Sequence, residues 1–594
     1  MSTLEVSSQK KRGYNEGKRH FRSNKRQKKD KPVKEGSNEE VILADIRALL
    51  ARHSLQDKAA GSASEVNGNL DPSNPSALPE PFTEIDVTVV ELSSTGDGLA
   101  LNPDSTHVYV VPFTAPGDTV TAKVVKHFQQ DFYSLADFVK VVKPSTERDD
   151  SLIQCPYFAS CSGCQFQMLP YQYQLAHKKT IVEKAYQNFS GLRPELVPAI
   201  GDTIGSPLQY GYRTKLTPHF DGPPGGRRDN RNGVRPKFEE VPPIGFMKKG
   251  TRRTLDIEDC TIGTDAVRRG IKKERSRIVR EIDKYTRGAT LLLRETTERV
   301  QKDQKNGDAA AEAPEEEKKK KKKKMDAQAV AVRPQASDDT IIEDRGDYLH
   351  KKTCITDNNA TTTEYNNNSI LPIFTQYIRD HVLPPSTSSG TTPKITNLID
   401  AYSGSGLFTI TLSKMFSHSL GIDISPSSIA FASKNAALNN LPSDRASFIA
   451  ADASNLFANI TFDAEETVVV IDPPRKGCDE SFLRQLIRYG PARVVYVSCN
   501  VHTQARDVGS LVGGMEGVEG GAGPGKGVYE IESLRGFDFF PQTGHVEGVA
   551  VLRKKESSGG EQHGALVDAE VADAIAESNS TAGAGAADGV EDAR

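Results

Sequence analysis

No apolar run in these 594 residues is long enough to cross a bilayer. The N-terminus also lacks the apolar core of a secretory leader. Neither a membrane partner nor secretion is therefore expected. Cysteine is scarce, with seven residues, an odd number in so long a chain. That argues against a disulfide framework and for reduced thiols, metal ligands or catalysis. Apolar content is low as well: 36% hydrophobic residues and a mean hydropathy of -0.50, too little for a chain that is globular throughout. The net charge of -3 conceals blocks of opposite sign that lie far apart. The length points to roughly three to four domains.

The polar, low-complexity stretches mark what separates those domains. Residues 1–80 read as a disordered basic tail, with clusters at Lys10-Lys11-Arg12, Lys18-Arg19 and Lys25–Lys29. Such runs are nuclear address signals, nucleic-acid-binding arms or simply a solvated tail; residence in the nucleus or cytoplasm is expected. Within the tail, Glu40–Leu55 reads as a short isolated amphipathic helix. Residues 298–340 contain Glu315-Glu316-Glu317 followed by seven lysines and read as a disordered insertion. Residues 509–527 read as a flexible glycine-rich insertion and 556–594 as a disordered tail.

Three folded regions remain, so the fold class is multidomain. In 81–145, short alternating strands at Ile85–Leu92, His107–Pro112, Asp118–Lys126 and Asp137–Val142 predict a small OB-like β-barrel, a type that binds nucleic acid through basic and aromatic groups. In 146–365 an α/β central domain is expected, carrying Cys155, Cys161 and Cys164 in a C-x5-C-x2-C cluster with Cys260 far downstream. Four such thiols suit tetrahedral ligation of zinc or an iron–sulfur cluster. Arg213, Lys215, Lys248, Lys249, Arg252 and Arg253 lie in the same region; they would meet phosphates or form an ordinary solvated surface.

The region 366–555 reads as a Rossmann-like α/β domain. A strand at Thr396–Tyr402 leads into the turn Ser403-Gly404-Ser405-Gly406, then a helix, then a strand tipped by Asp423. Glycines let the backbone approach a ligand, and the acid accepts ribose hydroxyls. The turn lacks the phosphate-cradling pattern of a dinucleotide site, which favours S-adenosylmethionine. Asp472-Pro473-Pro474-Arg475 ends a further strand, and Cys499 ends the strand Arg493–Ser498. A thiol there is either a small buried hydrophobe or a reactive group where α/β sheets hold their ligands. Glu547 precedes a final strand.

Taken in order, Asp400–Gly406, Asp472–Arg475, Ser498-Cys499-Asn500 and His545-Val546-Glu547 resemble the RNA 5-methyluridine methyltransferase family. The barrel, with Gly96–Ala100, Val111-Pro112 and Pro116-Gly117-Asp118, resembles a TRAM domain. The run Asn366–Pro372 looks like the fungal and eukaryotic tRNA (uracil-5-)-methyltransferases. The resemblance implies Cys499 as nucleophile, Glu547 as general base, and Tyr402, Asp423 and Asp472 as S-adenosylmethionine contacts. It further implies a [4Fe-4S] cluster on Cys155, Cys161, Cys164 and Cys260, with zinc as the alternative. The implied substrate is uridine 54 in the T-loop of tRNA, methylated at C5 by a monomeric enzyme. The nucleophile would need a depressed pKa, with Arg475 or Arg506 as sources of charge. Asp423 stands where many members carry glutamate. One family feature is missing: a cofactor-touching glutamine expected before the Asn-rich run, where Thr363-Glu364-Tyr365 stands instead. Two other readings compete, the same chemistry on ribosomal RNA and a catalytically impaired RNA-binding iron–sulfur protein.

Overall fold

A computed structural model describes residues 33–59, 78–101, 107–223, 237–301, 340–346, 348–356, 367–385, 394–451, 457, 460–518 and 526–555. The basic clusters before Lys29, the lysine run, the Tyr365–Asn366 junction and the tail from 556 lie outside the described residues. No helix among those described is long and apolar enough to cross a membrane.

The N-terminal barrel closes through five strands: β1 (Glu84–Leu92), β2 (Gly98–Leu101), β3 (Val108–Val111), β4 (Thr119–Phe128) and β5 (Tyr133–Lys143). Alternation decides what faces inward. Val87, Val89, Tyr109, Val120, Ala122 and Val124 fill the interior, and closure leaves no open sheet edge. Helix α1 (Asn38–Ala59) lies on the outside of this barrel. It is not isolated, as its short amphipathic pattern suggested. Ile42, Leu43, Ile46 and Leu49 pack on Leu99, Val108, Val110 and Tyr133. The buried Asp45 carboxylate accepts from Ser94 N at 2.6 Å and Ser94 Oγ at 3.2 Å.

The strand β6 (Gly201–Ile204) and the helix before it, α2 (Tyr171–Phe189), come next. The central strands are β7 (Lys215–Leu216), β8 (His219–Phe220), β9 (Gly245–Met247), β10 (Thr254–Asp256), β11 (Ala289–Thr290), β12 (Leu293–Gln301), β13 (Thr340–Asp344) and β14 (Tyr348–Ile355). They form two four-stranded sheets, β10-β9-β8-β11 and β13-β14-β12-β7. The helix Asp265–Glu281 buries Val267, Ile271 and Ile278 against Leu216 and Leu293.

The C-terminal domain is an eight-stranded sheet in the order β17-β16-β15-β18-β19-β21-β20-β6. Its strands are β15 (Asn397–Ala401), β16 (His418–Asp423), β17 (Ala446–Ala450), β18 (Thr467–Ile471), β19 (Arg493–Ser498), β20 (Tyr529–Phe537) and β21 (Glu547–Lys554), with β6 at one edge. β15, β18 and β19 are buried at every residue, which is why Val468–Ile471 and Val494–Val497 read as unbroken apolar runs rather than alternating ones; β15 also buries the polar Asn397 and Asp400. Cores cover both faces, one with Tyr496, Phe482 and Leu511, the other with Phe374, Phe408 and Val495.

Two boundaries differ from the sequence expectation. The central region does not keep α2 and β6 to itself. β6 pairs in parallel with β20, and Ile181, Val182, Ala185 and Tyr186 of α2 join the C-terminal core. Nor does the chain loosen at Gly509. The helix Val501–Gly513 runs through it, and glycine stands there because a Cβ would lie 2.0 Å from Ser190 O, so its absence permits a close backbone approach.

Candidate active site

Parallel pairing brings several chain segments to one edge of the sheet. Ala401 is level with Ile422 and Ile471, and Ile471 with Tyr496. The glycine turn, Asp423, Asp472 and Cys499 all lie at the carboxyl ends of those strands. β21 runs antiparallel to β19, with Ser498 opposite Gly548, so its first residue, Glu547, comes to the same edge beside Cys499.

Local chemistry fixes each segment. After Cys499, Asn500 caps the helix Val501–Gly513, its side chain accepting from His502 N at 3.2 Å. Asn500 Nδ2 also donates to Arg475 O at 3.0 Å, and Thr503 Oγ1 donates to the same carbonyl at 3.2 Å. Beneath them the buried Asp507 carboxylate accepts from Tyr496 OH at 2.6 Å and Cys478 N at 2.7 Å. The loop Asp472–Cys478 is thereby tied to the helix that starts beside Cys499. Cys478, which had no role in the sequence, is a buried packing residue with Sγ 3.7 Å from Tyr496 OH.

Electrostatics set the protonation states. Burial pushes the Cys499 thiol up to about 11; the Glu547 carboxylate and then Asp472 add to this, and Arg475 opposes it. The depressed thiol expected from the sequence is not present in the RNA-free state. Of the two candidate cations, Arg475 is the one that acts on Cys499; Arg506 is spent on Asp507 at 2.8 Å and Glu35 at 2.5 Å. Asp472 and Glu547 both sit well above the ordinary carboxylate range. Burial is the main cause for each; Asp400 adds to it for Asp472, and Asp472 adds to it for Glu547, where Arg475 opposes. Carboxyls packed this closely do not ionise together. A raised thiol pKa means thiolate grows tenfold per pH unit below it. Alkylation of Cys499 by iodoacetamide in the RNA-free protein should therefore keep rising through about pH 9. A rate that levels off below about pH 8 would contradict the raised value.

Around the glycine turn the geometry is that of an open cradle. Gly404 has φ 54°, and a Cβ there would meet nothing within 4 Å among the described residues. Its N–H donates to Asp423 Oδ2 at 3.0 Å, while Asp423 Oδ1 accepts from Ser425 N at 2.8 Å. Among the described residues, buried Asp400 Oδ1 and Ser403 Oγ have no hydrogen-bond partner; unpaired buried polar atoms beside a cleft fit a polar ligand. Tyr402 adopts φ 65°, and its ring packs 5.3 Å from Phe482.

The fold brings the four cysteines near one another: beyond the effect of burial, Cys260, Cys155 and Cys161 each push the Cys164 thiol up, and Cys161 and Cys155 do the same to Cys260. Cys155, Cys161, Cys164 and Cys260 are free thiols. Among the described residues no three His, Cys, Asp or Glu side chains are grouped to hold a metal ion. Burial raises all four thiols, and the sulfurs of Cys155, Cys161 and Cys260 face backbone amides of their own turns, at Tyr157, Gly163 and Ile262 respectively.

The chain is 41% identical over 525 residues to the tRNA (uracil(54)-C(5))-methyltransferase of Schizosaccharomyces pombe, covering 88% of this chain and 85% of that protein. The chain belongs to the tRNA (uracil-5-)-methyltransferase family. The family model for tRNA (Uracil-5-)-methyltransferase matches residues 306–555, and the TRAM domain model matches 80–139. The enzyme of the same name from Saccharomyces cerevisiae is 38% identical over 506 residues, covering 79% of this chain and 73% of that one. The crystal structure of Pyrococcus abyssi tRNA (uracil-54, C5)-methyltransferase with S-adenosyl-L-homocysteine is 22% identical, with a TM-score of 0.48 over 79% of this chain and 100% of that one. In this methyltransferase, two further residues of the quoted motifs stand at the site without having been given a role. His545 Nδ1 lies 3.3 Å from Arg475 Nη2 and accepts from it. Asp400 lies buried beneath the glycine turn, its Oδ2 accepting from Thr409 N at 2.8 Å. Asp400 was part of the quoted turn motif, but only its burial reveals it as a neighbour of Asp472.

Proposed function

We propose that this chain transfers a methyl group from S-adenosylmethionine to C5 of uridine 54 in tRNA, the position named for its fungal relatives. The observation that carries the reading is the meeting of Cys499 and Glu547 at adjacent strand ends, under Arg475 and beside the Gly404 cradle. Asp423 and Asp472 would hold the cofactor there, with Tyr402 shaping the turn. Bound S-adenosylmethionine supplies an electrophilic methyl group.

Uracil C5 is a weak nucleophile, and covalent catalysis divides the difficulty. The Cys499 thiolate adds to C6, forming a C–S bond, and the electron pair of the 5,6 double bond moves toward the C4 carbonyl. C5 then takes up the methyl group. Glu547 removes the C5 proton, the 5,6 double bond re-forms, and the C6–S bond breaks to return the thiolate. The raised carboxyl of Glu547 is consistent with this order. Arg475, which already favours the ionised form of Glu547, stays beside it to help it take the proton. The uridine must leave its stack to enter the site, which costs least in a loop.

Labelled methyl transfer to a tRNA transcript tests the function: incorporation should vanish when uridine 54 becomes cytidine. Incorporation that survives the change, or goes to ribosomal RNA instead, would overturn it. Glu547→Gln tests the order of steps. That variant should still add Cys499 to the base but accumulate the methylated covalent adduct, visible as a slow-migrating protein–RNA band. Turnover at the parental rate would remove Glu547 from the role of base.

A further inference from the structure

The cavity that reaches Cys499 has a wall that the catalytic domain does not supply. Its volume is ≈ 480 Å³, and Gly36, Asn38, Glu39 and Ile42 line it together with Cys499 and His545. These residues belong to α1 and the strap just before it, more than 450 positions away in sequence. The strap touches the nucleophile's own loop. Gly36 O accepts from Asn500 Nδ2 at 3.5 Å, and Glu35 pairs with Arg506 at 2.5 Å. Gly36 has φ +70°, and a Cβ there would stand 2.9 Å from the Thr503 methyl group. Both facts demand glycine at this point.

The wall is rigid. Ser37 caps the helix, its Oγ accepting from Glu40 N at 3.3 Å, and the Glu40 carboxylate reaches back to accept from Gly36 N at 2.6 Å. Behind it, Ile46 and Leu49 are 0% and 2% exposed against the barrel, and Asp45 holds Ser94. A helix anchored this way is a fixed boundary rather than a removable plug. Glu39 and Glu40 make its first turn acidic, so phosphates are favoured on the opposite rim, near Arg475; Lys249 there is paired with Asp97 at 2.8 Å.

We propose that residues 35–39 form the outer wall of the target-base pocket and position the Cys499 loop for attack. This rests on the proposed function, because it assumes that a base enters beside Cys499. The strap residues are positioning residues and act on the nucleophile through Asn500, Thr503 and Arg506.

Two full-length variants, Gly36→Val and Glu35→Ala, and two shortened chains, starting at Val33 or at Asn38, test it. Gly36→Val and the Asn38 chain should lose about tenfold or more in kcat for tRNA methylation, as small displacements of reacting groups do; Glu35→Ala, which loses one ion pair and keeps the strap backbone, should fall between them and the parent. S-adenosylmethionine affinity should stay within about twofold, because the Gly404 cradle lies across β18 from the strap. Cys499 should be alkylated faster by iodoacetamide in Gly36→Val and the Asn38 chain, since its outer wall is displaced or gone; the Val33 chain should match the parent. The alkylation readout does not depend on methylation, so a parent that fails to methylate uridine 54 counts against the proposed function alone. An unchanged alkylation rate in Gly36→Val and the Asn38 chain overturns the wall. So does a rise in kcat, which would make the strap a plug, or a parallel loss of cofactor affinity, which would make it a general fold support.

Discussion

Replacing Cys499 by alanine should abolish methyl transfer while leaving the fold intact. The expected loss is at least about 10⁴-fold in kcat, in the range seen when a covalent nucleophile is removed. The contrast with a structural thiol is sharp. Cys499 is only partly buried, so as a packing atom its truncation would cost about 1 kcal/mol and leave turnover in place. Cys354, on β14 and in close contact with Gly270, provides the comparison: Cys354→Ala should lower stability modestly and still form adduct. The measurement is trapping with tRNA carrying 5-fluorouridine, where the C5 fluorine cannot be removed as a proton. The parent should give a covalent band and Cys499→Ala none. A band of parental intensity from Cys499→Ala would mean that another residue attacks C6.

The raised thiol makes this prediction more than a motif match. An isolated reactive cysteine is expected to have a low pKa, yet here burial and two carboxyls hold Cys499 in its protonated form. A protein that stores its nucleophile as a thiol beside Arg475 gains thiolate when something changes the local charge. RNA binding over Arg475 would change it in the wrong direction if phosphate were the only newcomer, because an anion opposes a thiolate. The uracil ring itself is the better candidate. Its entry displaces water; the thiol gives up its proton to that leaving water, and the developing enolate takes the sulfur's charge as the C–S bond forms, so thiolate is present only briefly.

Much of this site was legible in the chain because it is built from strand ends. Runs such as Val494–Val497 and Val468–Ile471 are buried parallel strands, and the residues just after each run must lie at the carboxyl edge. Barrel strands were legible for a related reason, since Val87 and Val89 alternate as a half-buried strand should. The features that escaped notice depend on partners distant in sequence. β6 is four residues long and exists because β20 offers it an edge. Gly509 resembled loop sequence, and only the backbone of Ser190 shows why a helix needs glycine there. α1 contains apolar residues in a polar tail, and nothing local tells that Leu99 and Val110 receive them. Cysteine spacing suggested a ligand set, and the fold does bring Cys260 to the other three thiols, although among the described residues they do not form a group arranged to hold a metal ion. Arg475 and Arg506 were both readable as charges; only the fold shows that the first acts on Cys499 and the second is held by Asp507 and Glu35.

Removal of the Asp538 carboxylate should destabilise the catalytic domain by about 3–5 kcal/mol, the cost of leaving a buried charge without its partner. Lys178 and Asp538 are both 0% exposed and pair at 2.5 Å. Lys178 comes from α2 and Asp538 from the segment that joins β20 to β21, so the pair fastens the loop that delivers Glu547. The carboxylate is otherwise satisfied: Oδ2 accepts from Tyr171 OH at 2.9 Å and Oδ1 from Phe540 N at 3.1 Å. Lys178 Nζ also donates to Phe540 O at 3.0 Å. Burial pulls the Lys178 pKa down and Asp538 opposes that pull. Asp538→Ala thus leaves an ammonium that must either stay charged in an apolar setting or lose its proton. A buried pair is weak evidence for net stability, because both charges lose their hydration. The double variant Lys178→Met/Asp538→Leu should accordingly lose much less than the two single variants together, since neighbouring residues do not add. Urea midpoints of the parent, the singles and the double close the cycle. A single-variant loss below about 1 kcal/mol, or singles that simply add, would show that the pair does not fasten the loop. If the cycle closes as expected, kcat in the double variant reports how much of Glu547's placement depends on this charge pair rather than on packing alone.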